Sequence, residues 1–227
     1  ELIEQYFQYS KNSVAGLKSI DVFLLIRLPR VTLCAFCGAS IAVAGSLIQG
    51  LLRNPLASPS LLGTSSGASL AVIAVFFYFG TFIHPLWITL SSFLGAFLST
   101  VVILCLWKNH NSLFSSQILT YGLVWSMFLT GIASLFISLS LADHEKSSAM
   151  IHWVYGAWKV TTWPVLTWGI CFMSLGLILA FYNAKPLNVL ALGEETAQTL
   201  GLNIYQIKTR TVLICSFLVG TSVSFGG

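Results

Sequence analysis

Cys34 and Cys37 form a C-x-x-C, a spacing that suits a redox disulfide or half of a zinc site. Either chemistry needs a stabilised thiolate. The stretch around the pair, VTLCAFCGASIAVAG, offers apolar and small side chains only. The two are therefore read as small buried hydrophobes, and five cysteines, an odd number, define no disulfide framework. His84, His110, His144 and His152 stand in polar stretches or at the edges of apolar runs, and no apolar run contains a histidine, aspartate or glutamate. An intramembrane protease or a proton-coupled carrier would need such a titratable group inside a run. No G-x-x-x-x-G-K-[ST] occurs either, so the phosphate cradle of a P-loop ATPase is absent from the sequence.

Four polar islands remain: RLPR at 27–30, RNPLASPS at 53–60, NHNSLFSS at 109–116 and LGEETAQTLGL at 192–202. Arg27 and Arg30 flank Pro29. Guanidinium groups there either snorkel toward lipid headgroups or offer bidentate bonds to a partner's carboxylates. In the second island, Pro55 and Pro59 lack backbone donors and disfavour helix at Asn54 and Ser58, which makes a turn, with Ser60 placed to cap the next helix. In the third, Ser115 and Ser116 stand where a serine caps the start of a helix. In the fourth, Gly193 and Gly201 bracket a short helix opened by Glu194 and Glu195, with Ala197 and Leu200 expected on one face. Acidic residues are favoured at such a start, and a helix this short needs something to dock against.

The elements that position these islands follow from composition. Of 227 residues, 56% are hydrophobic and only 8% charged, and mean hydropathy is +0.85. A soluble domain carries about 25% charged residues. A hydrocarbon core about 30 Å thick takes roughly 20 apolar residues per spanning helix. Six runs qualify, at about 31–52, 61–80, 85–107, 117–141, 163–182 and 207–225. Lys208 and Arg210 sit at the edge of the last, where long side chains snorkel. No run alternates with period two, which argues against a barrel. Gly and Ser recur within the runs, as at Gly38, Ser40, Gly45 and Ser46, and let helices pack closely. The expected fold is all-α, one polytopic transmembrane bundle over residues 1–227. The net charge of +4 is spread along the chain rather than clustered, which argues against nucleic acid as a partner, and the apolar runs make the lipid bilayer one. Basic residues divide six against five between the two sides, which leaves orientation open.

RLPR followed by GASIAVAGSLIQGLLRNPLASPSLLGTSSGAS, and then LNVLALGEETAQTLGL at 187–202, resemble the two signatures of the iron-siderophore, haem and vitamin B12 importer permeases. These are membrane subunits of the larger class of ABC importers. The resemblance implies a ten-helix permease, of which this chain carries about six spans and lacks the first helix and the last three. It implies a periplasmic segment at about 1–30 and a cytoplasmic, ATPase-coupling loop at 187–203 in a bacterial inner membrane. By the same resemblance Asn54 and Leu56 match a cytoplasmic gate, with Ser115 and Ser116 matching a second one. Arg27 and Arg30 match the docking site of a periplasmic substrate-binding protein. Gly193, Glu194, Glu195, Ala197, Leu200 and Gly201 match the ATPase-coupling helix. The segment 142–163 matches an interfacial stretch with Trp153, Trp158 and Trp163 as headgroup anchors. No cofactor is expected in this chain, and no catalytic or metal site; ATP and Mg would be bound by a partner ATPase, beside a second permease subunit. The implied cargo is an iron chelate, with vitamin B12 as the alternative and a secondary transporter as the rival class.

Overall fold

A computed structural model describes residues 23–81, 83–108, 114–156 and 163–226, with residues 107, 108 and 114–119 described by backbone alone. Every regular element among the described residues is helical. A π-turn at Phe23–Arg27 leads into α1 (Leu28–Leu52), and a 3-10 turn at Pro59–Leu62 leads into α2 (Thr64–Phe79). Then come α3 (Pro85–Lys108), α4 (Phe114–Leu139), α5 (His144–Val154), α6 (Trp163–Ala191), α7 (Glu194–Thr199) and α8 (Ile204–Gly226).

Among the described residues, five helical stretches are long and apolar enough to cross a membrane: Phe23–Leu52, Pro85–Leu106, Thr120–Leu139, Trp163–Ala191 and Ile204–Gly226. The remaining expected run, 61–80, forms a shorter apolar helix that still joins the two sides of the bundle. Gly63 takes a left-handed conformation (φ 68°) that splits the run into the 3-10 turn and a 16-residue α2. At 1.5 Å per residue α2 is about 24 Å long, less than a hydrocarbon core. Ser60 consequently lies inside the 3-10 turn and caps no α-helix. Ser58 is the cap instead, its hydroxyl accepting from the Ser60 N–H at 3.4 Å.

The core is built around α8, which packs on α1, α6, α3 and α2. It is the least apolar of the five long stretches and the most buried. That inversion is what a bilayer selects, because lipid is as apolar as leucine and small polar residues pack best against other helices. Several of its hydroxyls are satisfied at short range: Thr211 donates to the Ile207 carbonyl at 2.8 Å, Ser222 to Leu218 at 2.7 Å and Ser224 to Gly220 at 2.6 Å, while the buried Thr209 hydroxyl has no partner among the described residues. Others reach across, with Asn183 donating to Thr211 Oγ1 at 2.7 Å and Thr100 hydrogen-bonded to Ser216 at 2.6 Å. On α6 the buried residues Leu166, Gly169, Met173, Gly176, Ala180, Asn183, Leu187 and Leu190 recur at alternating steps of three and four, one seam along the helix. On the other flank α2 crosses α3 with backbones in contact. A Cβ on Gly67 would strike the Gly95 carbonyl, and one on Gly95 would strike that of Gly67.

Hydrogen bonds between connections sort the helix ends onto two sides. On one, Trp163 Nε1 donates to the Leu24 carbonyl at 3.2 Å, and the Thr81 hydroxyl donates to Glu145 at 2.7 Å. On the other, Arg53 reaches the carbonyl of Leu190. α5 begins at Asp143, whose carboxylate accepts from the Lys146 N–H at 3.2 Å; that bond holds the carboxyl below its usual range. Trp153 is not a headgroup anchor. It is buried with Val72, Phe76 and Met150 where α5 packs on α2, while Trp163 is partly exposed and Trp158 lies outside the described residues.

Of the C-x-x-C pair, Cys37 is buried with its thiol 3.7 Å from the Ser222 carbonyl, and Cys34 is exposed on the outer face of α1. Both are free. Three residues apart, the two are neighbours about 60° apart around the helix, and the edge of the buried seam falls between them.

Candidate coupling and gate region

α1 ends in a turn closed almost wholly by its own hydrogen bonds. Arg53 caps the helix in a left-handed conformation (φ 49°, ψ 36°), its N–H returning to the Gln49 carbonyl. The Asn54 side-chain oxygen accepts from the Leu56 N–H at 2.9 Å, an Asx turn. The Ala57 N–H reaches the Asn54 carbonyl at 3.1 Å, and Gln49 Nε2 donates to the Pro55 carbonyl at 3.1 Å. Ala57 is buried beneath. Leu56, at the tip, is 87% exposed, an apolar side chain held outward by a rigid polar frame.

Beside this turn, α6 bends into α7. The Leu190 carbonyl, one of the orphan acceptors of a helix C-terminus, takes the Gly193 N–H at 3.1 Å and also the Arg53 guanidinium. α7 is six residues long and closes as a Schellman motif. The Leu202 N–H returns to the Ala197 carbonyl at 3.0 Å and the Gly201 N–H to Gln198 at 2.9 Å, with Gly201 at φ 76°. Glycine is required there because a Cβ disfavours that conformation.

This cap separates two residues expected on one face. Ala197 is fully buried against the core, but Leu200 is 64% exposed. The reversal at Gly201 brings Leu202, not Leu200, back to pack on the core beside Ala197. Leu192, just before α7, is 74% exposed. Leu192 and Leu200 thus present apolar side chains at either end of the helix. Leu192 went unnoticed in the sequence because it reads as the end of an apolar run.

The expected snorkelling at Lys208 does not occur. Its side chain is buried, and Nζ lies 2.8 Å from Glu194 Oε1. α7 stands over the start of α8, so the ammonium finds a carboxylate nearer than bulk water. Glu195 is exposed, as is Arg210.

Arg27 and Arg30 lie at the opposite end of α1, about 38 Å away along the helix, both exposed on either side of buried Pro29. Ser115 and Ser116 fall in the first turn of α4, and their side chains lie outside the described residues. Between the 3-10 turn, α2 and α4 runs a cleft of about 400 Å³, reaching from Ser60 to Val154 of α5. Its lining carries Ser65, Ser66 and Ser69 from α2 and Ser126, Thr130 and Ser134 from α4. Gly122 lets α4 pass over the Leu61 carbonyl at the turn end of this cleft. No group of three or more metal-ligating side chains occurs among the described residues.

A polytopic helical bundle of long apolar helices is the architecture of a multi-pass membrane protein. The family model described as the FecCD transport family matches residues 3–227, and the chain belongs to that family. An uncharacterized ABC transporter permease protein of Bacillus subtilis, YvrB, is 34% identical over 91% of this chain and 59% of its own. The hemin transport system permease protein HmuU of Yersinia pestis is 32% identical over 91% of this chain and 62% of its own. The vitamin B12 import system permease protein BtuC of Vibrio parahaemolyticus is 31% identical over 92% and 64%. The chain spans about three fifths of the length of these curated relatives. A structure solved as an inward-facing conformation of an ABC transporter, assigned to the metal-chelate type, superposes with a TM-score of 0.80. It is 23% identical and covers 91% of this chain and 65% of its own, a likeness of fold.

Proposed function

We propose that this chain forms the membrane-spanning permease subunit of an ATP-binding cassette importer, carrying an iron chelate across a bacterial inner membrane. A separate ATPase binds ATP and Mg and hydrolyses the nucleotide. The observation that carries the reading is α7: a six-residue helix, fixed by an ion pair and a Schellman cap, with Leu192 and Leu200 exposed at its ends. Exposed apolar side chains on a rigid helix outside the bundle suit a partner's groove. The side bearing α7 is then cytoplasmic and docks the ATPase through Glu194, Glu195, Leu192 and Leu200. The side bearing Arg27 and Arg30 is periplasmic and receives the binding protein. Leu56 and Asn54 close the pathway at the cytoplasmic end together with a second permease subunit, with Ser115 and Ser116 contributing to the same closure.

The cleft, mostly apolar with a scatter of hydroxyls and no charged side chain among its described lining residues, supports passage without tight binding. Uncharged hydroxyls exchange hydrogen bonds with a polar chelate and hold it weakly. Relatives are named for hemin, vitamin B12 and iron(III)-citrate, all metal complexes too large for an ion channel. An iron chelate is the cargo proposed, with vitamin B12 as the alternative. The test is uptake by proteoliposomes holding the permease, its ATPase and its binding protein, with radiolabelled iron chelates, hemin and cobalamin in parallel. Uptake that requires ATP and persists when the proton gradient is collapsed supports the importer. Uptake driven by the gradient alone overturns it in favour of a secondary transporter.

A further inference from the structure

Arg53 is the one described residue other than glycine with a positive φ, at 49°. The left-handed position after a helix is ordinarily filled by glycine or asparagine, since a Cβ crowds the backbone there. An arginine in that place has to contribute something through its side chain. The structure shows where the side chain goes: Nη2 donates to the Leu190 carbonyl, 137 residues away, at the bend from α6 into α7. That carbonyl already takes the Gly193 N–H, so one oxygen joins the gate turn, the end of α6 and the start of α7. A guanidinium at a helix C-terminus also meets the negative end of the helix dipole.

We propose that Arg53 is a positioning residue that straps the gate turn to the coupling helix, so that displacement of α7 is delivered to Asn54 and Leu56. Two further contacts make the region one mechanical body. Glu194, the first residue of α7, is tied to Lys208 of α8, and Ala197 packs in the same buried cluster as Leu51, Leu52 and Leu190. Those contacts seat α7 on the bundle. Arg53 alone among the described side chains of the turn bonds to the α6–α7 bend, and it immediately precedes Asn54 in the chain. Cut the strap and α7 still docks, but its motion reaches the gate only through compliant apolar packing. This inference rests on the reading of α7 as the ATPase-docking helix.

The test uses Arg53→Gly, which suits the left-handed backbone and removes only the side chain, together with Arg53→Lys, which keeps a donor without the fork. In reconstituted complexes, Arg53→Gly is expected to retain ATPase co-purification and ATP hydrolysis while uptake per ATP hydrolysed falls about tenfold, within the range of measured site-to-site couplings. Arg53→Lys is expected to fall between Arg53→Gly and wild type. Wild-type uptake per ATP in Arg53→Gly overturns the strap, and so does parallel loss of assembly and uptake, which would make the residue merely structural. Hydrogen exchange on the permease without its ATPase separates this inference from the reading it rests on. Faster exchange across residues 193–202 in Arg53→Gly is expected whether or not an ATPase binds there, and unchanged exchange overturns the strap. A wild-type permease that fails to retain the ATPase overturns the docking reading instead.

Discussion

Lys208 Nζ and Glu194 Oε1 lie 2.8 Å apart, the lysine buried in the second turn of α8 and the glutamate half-exposed at the first residue of α7. The pair fixes α7 over α8 at the point where the chain turns on the proposed cytoplasmic side. It also divides two neighbouring glutamates into different roles, since Glu195 faces solvent.

Glu194→Gln is expected to destabilise the permease by about 1–2 kcal/mol. That lies between the roughly 0–1 kcal/mol of an exposed pair and the several of a buried one, because water reaches only one partner. The swap Glu194→Lys with Lys208→Glu recovers part of the loss. Glu195→Ala leaves stability unchanged and lowers ATP-dependent uptake. Thermal unfolding in detergent and proteoliposome uptake, measured on the same variants, check both halves.

The turn at 53–58, proposed as a gate, allows a similar separation. Asn54→Ala deletes the acceptor for the Leu56 N–H and costs about 1 kcal/mol. Leu56→Ala removes an exposed side chain and leaves stability where it was. Passive leak of small solutes through Leu56→Ala, with an unchanged melting temperature, identifies Leu56 as part of the closure. Leak in neither variant would leave the turn a purely structural element.

At the other end of α1, Arg27→Glu with Arg30→Glu is expected to weaken binding-protein affinity about tenfold or more, while assembly with the ATPase persists. Surface plasmon resonance with the reconstituted complex reads this directly. Undiminished affinity would return both arginines to a headgroup-anchoring role.

Gly95→Ala is expected to destabilise by about 1–3 kcal/mol, because its Cβ enters the Gly67 backbone and neither backbone can yield. Gly45→Ala meets nothing within 4 Å and is expected to be neutral or to stabilise by up to about 1 kcal/mol, from a helix interior freed of a glycine. Thermal unfolding of the two variants side by side checks the contrast.

Helix type, the polar turn at 53–58 and the short helix after Gly193 were legible in the sequence because each has a local cause: an apolar run, a pair of prolines, a pair of glycines. What stayed hidden depends on who meets whom. Trp153 reads as an interfacial anchor until α5 is laid on α2, and Lys208 reads as a snorkelling side chain until α7 folds back over it. Leu200 follows the helical period toward the core, but the Schellman cap ends the helix one residue earlier and hands that place to Leu202. The same holds for the run at 61–80: its composition is that of a span, and a single left-handed glycine shortens the helix within it. The site residues were found as a set of islands. That Arg53 joins two of them is a contact across 137 residues, which no local pattern encodes.

The centre of the bundle has a consequence for biogenesis. A helix lined with Thr211, Ser216, Thr221, Ser222 and Ser224 gains little from lipid on its own. Four of its hydroxyls turn back onto their own helix backbone, while Ser216 and the buried Lys208 find their partners on α3 and α7. α8 therefore gains its place chiefly by packing on α1, α3 and α6, and an insertion machinery handling this chain has to keep those helices close when α8 arrives. Mutations that loosen the outer helices would then show first as failed membrane integration of α8, before any defect in transport could be measured.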